Sequence, residues 1–166
     1  LNTDALVNLR KENKIDVVVT VDCGTVSFEP IEAANKVGLE VIVVDHHIST
    51  EEWPKALAVI NPNRVDEKSP HRNLAAVGVA FLLAVAIRSK LRAQKYFAGN
   101  IKEPDLLKLL DLVALGTVCD VMTLTGLNRV YVSRGVEILR QRTNKGLAAL
   151  ADVAGINTPP DVYHLG

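Results

Sequence analysis

An aspartate and two histidines close a short apolar run, Val41-Ile42-Val43-Val44-Asp45-His46-His47. One carboxylate and two imidazoles in succession can ligate a divalent cation or contact a phosphate. They can equally form a solvated strand end that turns into a polar loop. A second acid closes a second run: Ile15-Asp16-Val17-Val18-Val19-Thr20-Val21 leads into Asp22-Cys23-Gly24. If the two runs are neighbouring parallel strands, Asp22 and the Asp45-His46-His47 triplet emerge at one edge of a sheet. Oxygen and imidazole donors gathered there suit Mn2+ or Mg2+ better than a thiolate-rich set would.

The elements needed to bring these residues together are legible. Short β-branched runs read as strands buried on both faces. Between the two tips, residues 27–37 show helical apolar spacing at Ile31, Ala34 and Val37, and Gly38 stands where a helix C-cap is expected. Strand, helix and strand make a βαβ unit, whose strands run parallel. Ligands of open α/β sheets bind beyond the carboxyl ends of the strands, which is where the acids and histidines fall.

The remaining chain supplies support. Residues 1–13 predict a helix, with Leu6 and Leu9 facing the sheet. Residues 56–60 predict a third strand, ended by Asn61-Pro62-Asn63. Residues 64–73 read as a surface loop. Helices are expected over residues 74–96, 103–118, 128–142 and 144–154, the last closed by Gly155. The fold class is therefore α/β: a parallel, Rossmann-like sheet with helices on both faces, then a helical second half. The basic end of the first long helix (Arg88, Lys90, Arg92, Lys95) complements the helix dipole or faces DNA. The arginines at 129, 134, 140 and 142 scatter around their helix, which favours solvation over a single binding face.

Composition narrows the class. Hydrophobic residues are 48% and charged residues 23% of the chain, which excludes disorder. Nineteen basic residues balance nineteen acidic ones, so a nucleic-acid partner would be held by local patches. Cys23 and Cys119 fit no zinc or redox spacing. They read as small buried side chains in a reduced, cytoplasmic setting. The apolar run 74–87 is shorter than the roughly 18–20 residues of a membrane span and reads as a buried core helix. No glycine-rich phosphate loop occurs. His71 and His164 read as ordinary surface residues. Leu1 in place of Met and the unfinished look of the last residues suggest a piece of a longer protein.

In order along the chain, Val21-Asp22-Cys23-Gly24, Asp45-His46-His47, Asn61-Pro62-Asn63, Asn73-Leu74-Ala75-Ala76-Val77-Gly78-Val79-Ala80, Leu112-Val113-Ala114-Leu115-Gly116-Thr117-Val118-Cys119-Asp120-Val121 and Asn128-Arg129 resemble the DHH phosphoesterases. Within that family they are most similar to the branch of bacterial single-stranded-DNA exonucleases. The resemblance implies that Asp22, His46 and Asp120 are metal ligands and that Asp22 bridges two ions, Mn2+ or Mg2+. It implies that His47 contacts the scissile phosphate and that Asp45 orients the histidines. It also implies 5′→3′ hydrolysis of single-stranded DNA in recombination and repair, with a helicase and a single-strand-binding protein as partners.

On this reading residues 1–166 form a single DHH domain, incomplete on its N-terminal side. The family's first motif, Asp-x-Asp-x-x-Gly, is expected upstream of residue 1 and the C-terminal DNA-gripping domain beyond residue 166. The chain alone should then have little nuclease activity. Ala76 stands where a glycine is usual. Two other readings stay open. One is a DHH enzyme acting on short oligonucleotides, cyclic dinucleotides or pyrophosphate. The other is a non-catalytic binding module, against which the retention of Asp22, His46, His47 and Asp120 argues.

Overall fold

The computed structural model describes residues 1–166. The chain divides into two compact units, residues 1–72 and 73–166.

The first unit is built on three short parallel strands, β1 (Val17–Val21), β2 (Glu40–Val44) and β3 (Ala58–Ile60), in the order β1-β2-β3. The expected βαβ unit is present. Helix α1 (Thr3–Lys11) precedes β1, and α2 (Phe28–Lys36) connects β1 to β2. Helix α1 starts where the Asn2 side chain accepts the Ala5 amide, so one of the helix's unpartnered amides is satisfied. Helix α2 stops where Gly38 turns left-handed at φ 74°. There the Gly38 amide reaches Asn35 O and the Leu39 amide reaches Ala34 O, a paired C-terminal closure that needs that φ.

The core of this unit joins Leu6 of α1 and Ile31 and Ala34 of α2 to Val41, Val43 and Val59 of the sheet. Val18 and Thr20 share that face by register, since they pair with Val41 and Val43. Both helices of the unit therefore lie on one face. The alternate residues of β1, Val17, Val19 and Val21, are exposed, so the helices of this unit cover one face of β1, while on the opposite face Val44 of β2 is buried.

The second unit is helical, as expected, with α3 (Ala76–Ala93), α4 (Leu110–Cys119), α5 (Gly126–Leu139) and α6 (Lys145–Val153). The helix expected from residue 103 is in two parts. A 3-10 turn at Leu106–Leu109 comes first, because Asp105 caps the Leu107 amide and tightens the entry. Helix α3 is less buried than its composition suggests. Only Ala76, Gly78 and Val79 are fully buried, and Ile87 is exposed. Its apolar residues run around the whole circumference, and no single neighbour can cover them all.

Helices α4 and α5 pack closely, with Ala114 against Val132, Val136 and Leu139. Gly135 makes the contact possible: a Cβ there would lie 2.1 Å from Leu110 O and 2.4 Å from the Ala114 methyl. The basic end of α3 is tied locally, since Glu103 pairs with both Arg88 and Arg92. On and after α5, Arg134 pairs with Glu137 and Arg142 with Asp152, in keeping with solvation. No helix is long and apolar enough to cross a membrane.

The two cysteines differ from expectation. Cys23 is half-buried and Cys119 is exposed, and both are free thiols. Each lies at the end of an element, where Cys23 Sγ approaches Val21 O and Cys119 Sγ approaches Leu165 O. His164 is more than a surface residue. Its Nδ1 accepts the Asp161 amide in a reciprocal cap, and the ring beside Asp161 lowers that acid's pKa.

Candidate metal centre at the strand tips

Each strand of the sheet delivers polar residues to the same edge. The pairing of β1 with β2 runs Val17 to Glu40 through Val21 to Val44, so Asp22 and Asp45 follow as the next residues of each strand. The ladder reaches the tips, because the Asp22 amide donates to Val44 O (2.9 Å) and the Asp45 amide to Ile60 O (3.0 Å). Asp22 adopts a left-handed φ of 66°, a conformation that aspartate tolerates better than most residues. The chain then folds back over the strand, with Thr20 Oγ1 donating to Cys23 O. Gly24 makes that return at φ 120°, and a Cβ there would sit 3.0 Å from both Thr20 Oγ1 and Val43 Cγ1.

The structure brings Asp22, His46 and His47 together, with one ligand atom from each lying within 4.8 Å of the others. Asp22 Oδ1 and His46 Nε2 are 3.1 Å apart, close enough to share one cation or one proton. The His46 side chain is 10% exposed and the Asp22 side chain 60%, so the pair sits at the floor of an open edge. The two imidazoles lie against each other, with ring centroids 4.7 Å apart and planes tilted by 59°.

Asp45 is the buried member of the triplet, at 1% exposure. Its Oδ1 accepts the amides of His46 (2.8 Å) and His47 (3.3 Å) and contacts His47 Nδ1 at 2.7 Å. Its Oδ2 accepts the Thr25 amide at 3.0 Å. Burial alone would raise the pKa of this carboxyl. The hydrogen bonds from His47, Thr25 and the His46 amide outweigh burial and hold it well below the usual carboxylate range. Asp45 is therefore ionised, and His47 Nδ1 is the donor of the pair. The opposite nitrogen, Nε2, is presented outward on a side chain that is 62% exposed.

Asp120 lies in the second unit, at the C-cap of α4, where its amide donates to Gly116 O at 3.0 Å. It is exposed, and Val121 after it is left-handed at φ 54°. A β-branched residue in that region is an outlier.

Two residues beyond the sequence-derived set join the edge. Thr25 is fully buried, and its hydroxyl accepts from Asn61 Nδ2 at 2.9 Å while its amide holds Asp45. Asn61, at the tip of β3, also donates to His47 O at 2.8 Å. In the sequence Asn61-Pro62-Asn63 marked the end of a strand and one of the stretches that resemble the family, with no role assigned to either asparagine. The available signal was its position at the tip of a third parallel strand, which puts it on the same edge as the other two.

The donors fit a divalent cation of oxygen and nitrogen preference. A carboxylate and an imidazole converge on one point, a second imidazole stands beside them, and an ionised carboxylate orients that ring in the manner common behind metal-site histidines.

The chain is similar to known proteins in both sequence and fold. The model of the DHH family, N-terminal domain, matches residues 2–117. The single-stranded-DNA-specific exonuclease RecJ of Escherichia coli is 46% identical over 140 residues, covering 83% of this chain and 24% of that protein. RecJ of Dickeya dadantii is 44% identical over 141 residues, covering 84% and 24%. The chain thus spans about a quarter of the length of the curated relatives it matches. A crystal structure of exonuclease RecJ bound to manganese superposes with a TM-score of 0.75 at 29% identity, covering 95% of this chain and 37% of that one. RecJ of Thermus thermophilus in complex with Mn2+ gives 0.73 at 31% identity, covering 96% and 22%. A family model that matches residues 2–117, and relatives 44–46% identical over more than four fifths of the chain, make this chain a member of the DHH family.

Proposed function

We propose that this chain supplies metal ligands and a phosphate-contacting imidazole to an exonuclease that degrades single-stranded DNA from its 5′ end in recombination and repair. The observation that carries the reading is the convergence of Asp22 Oδ1 and His46 Nε2, 3.1 Å apart, beside an imidazole held by a buried carboxylate.

Asp22 and His46 would hold an ion, Mn2+ or Mg2+, of the intact protein's two-ion site, and the family resemblance implies a metal-ligand role for Asp120 as well. The manganese-bound relatives support Mn2+. When bound, such ions neutralise charge on the phosphate and lower the pKa of water enough for it to attack at neutral pH. His47 does separate work. Asp45 receives its Nδ1–H and fixes the ring, so that Nε2 is the nitrogen left to contact a phosphate oxygen. Asp45 touches no substrate and acts by holding the two histidines.

The family model spans both compact units, which supports reading residues 1–166 as parts of one DHH domain. The names of the relatives support single-stranded DNA as the substrate. Partner helicases and single-strand-binding proteins, and a place in the cytoplasm, belong to the same proposal.

The test uses the protein as its gene encodes it, with Mn2+ and a 5′-labelled single strand, beside a duplex and a His46→Ala control. Loss of the single strand from its 5′ end, slowed on the order of 100-fold by His46→Ala, is the expected result. Full activity in His46→Ala would refute the ligand assignment. Hydrolysis confined to dinucleotides or pyrophosphate would move the protein to another branch of the family.

A further inference from the structure

We infer that Asn61 and Asn63 are positioning residues that set the directions of His46 and His47. The inference rests on the proposed metal site and adds to it a clamp supplied by the third strand.

The histidine pair lies just past the end of β2, where the ladder no longer dictates the direction of its peptide groups. Four backbone groups of the pair need partners. Asp45 Oδ1 accepts both amides, His46 N at 2.8 Å and His47 N at 3.3 Å. The two carbonyls are taken by two different asparagines: Asn63 Nδ2 donates to His46 O at 2.5 Å, and Asn61 Nδ2 to His47 O at 2.8 Å. Each histidine is thus fixed at its amide and its carbonyl. That determines where its Cα–Cβ bond points and which way the imidazole leaves the backbone.

The clamp is itself braced. Asn61 Oδ1 accepts the Asn63 amide (2.8 Å), so the two asparagines hold each other across Pro62. Asn61 Nδ2 also donates to Thr25 Oγ1, and Asn63 Nδ2 to Arg72 O. Arg64 closes the turn. Its amide reaches Asn61 O, its Nη1 donates to Val59 O at 2.7 Å, and its guanidinium stacks on Trp53 at 4.1 Å.

The residue type follows from the chemistry. A carbonyl oxygen needs a donor, and an asparagine amide supplies two donors and an acceptor in a short, stiff side chain. Aspartate has the same shape, cannot donate when ionised, and would repel the histidine carbonyl. The isosteric exchange therefore isolates the clamp from packing.

The test takes the full chain with Asn63→Asp, Asn61→Asp and Asn63→Ser, a smaller side chain that cannot reach His46 O. Asn144→Ala is the control, because Asn144 is a purely structural cap, accepting the Gly146 and Leu147 amides at the start of α6. Two quantities are read well below the unfolding transition. One is the three-bond coupling constants that report the χ1 angles of His46 and His47 without metal. The other is the Mn2+ dissociation constant, from electron paramagnetic resonance of the free ion.

The clamp variants should show averaged couplings and bind Mn2+ about 10–100-fold more weakly, the usual cost of losing an outer partner of a ligand. The control should change neither. Folded clamp variants with wild-type couplings and wild-type affinity would overturn the inference. So would equal changes in the control, which would mark a general effect of stability. A wild-type chain that binds no Mn2+ would break the metal reading alone, and the couplings would still decide the clamp. Should buried Asn61 not tolerate exchange, half-buried Asn63 decides by itself.

Discussion

Each compact unit buries one threonine almost completely, Thr25 at 1% exposure in the first and Thr117 at 0% in the second. Their hydroxyls have opposite fates. Thr25 Oγ1 accepts from Asn61 and donates to the Asp45 carboxylate. Thr117 Oγ1 has no hydrogen-bond partner, and Asn128 Oδ1 in the same unit has none either. Buried polar atoms are costly unless bonded. At the strand tips, where the proposed ligands gather, Thr25 and Asn61 are bonded so that they hold the Asp45 carboxylate and the His47 backbone. Between α4 and α5 the organising constraint is close approach, which Gly135 permits and which leaves little room for partners.

The contrast can be broken from either side. Gly135→Ala should have the largest effect. Its methyl would overlap Leu110 O, so the two helices must part, at about 3 kcal/mol of stability in urea unfolding. A loss under about 1 kcal/mol would show that the helix pair is softer than this packing implies.

Asp45→Asn comes next. The amide cannot accept at both ends, and about 2 kcal/mol should be lost along with most Mn2+ affinity. An unchanged unfolding midpoint would deny Asp45 its place at the centre of the network.

The two threonines give the sharpest comparison, because one substitution should act with opposite signs. Thr25→Val leaves one donor of the Asn61 side-chain amide without its partner and should cost about 1.5 kcal/mol. Thr117→Val removes an unbonded hydroxyl at nearly constant volume and should gain about 1 kcal/mol. Equal signs in thermal or urea unfolding would erase the distinction between the units.

Local chemistry made much of this legible in advance. Val41 to Val44 is an apolar run short enough for a strand, and Gly38 and Gly155 stop their helices by the conformation only glycine takes easily. Asp22, Asp45, His46 and His47 could be placed together because a parallel βαβ unit leaves little choice. What stayed hidden depends on distant partners. The Asn61–Thr25 bond joins residues 36 apart in sequence, and no local pattern announces it. The exposure of Val17, Val19 and Val21 was equally unreadable, since an all-β-branched strand looks the same whether one face is covered or both. The 3-10 entry at Leu106–Leu109 was lost among leucines whose spacing suits an α-helix as well.

The in-step pairing of β1 with β2, which places Asp22 and Asp45 as successors to one aligned pair, has a kinetic consequence. A slip of one residue would turn alternate side chains to the wrong face and carry Asp22 away from His46. If the cluster binds an ion as proposed, its binding signal would appear during refolding only after the strands have locked into their native alignment. Stopped-flow mixing with Mn2+ would then time that step directly, and the cluster would serve as a built-in clock for assembly of the sheet.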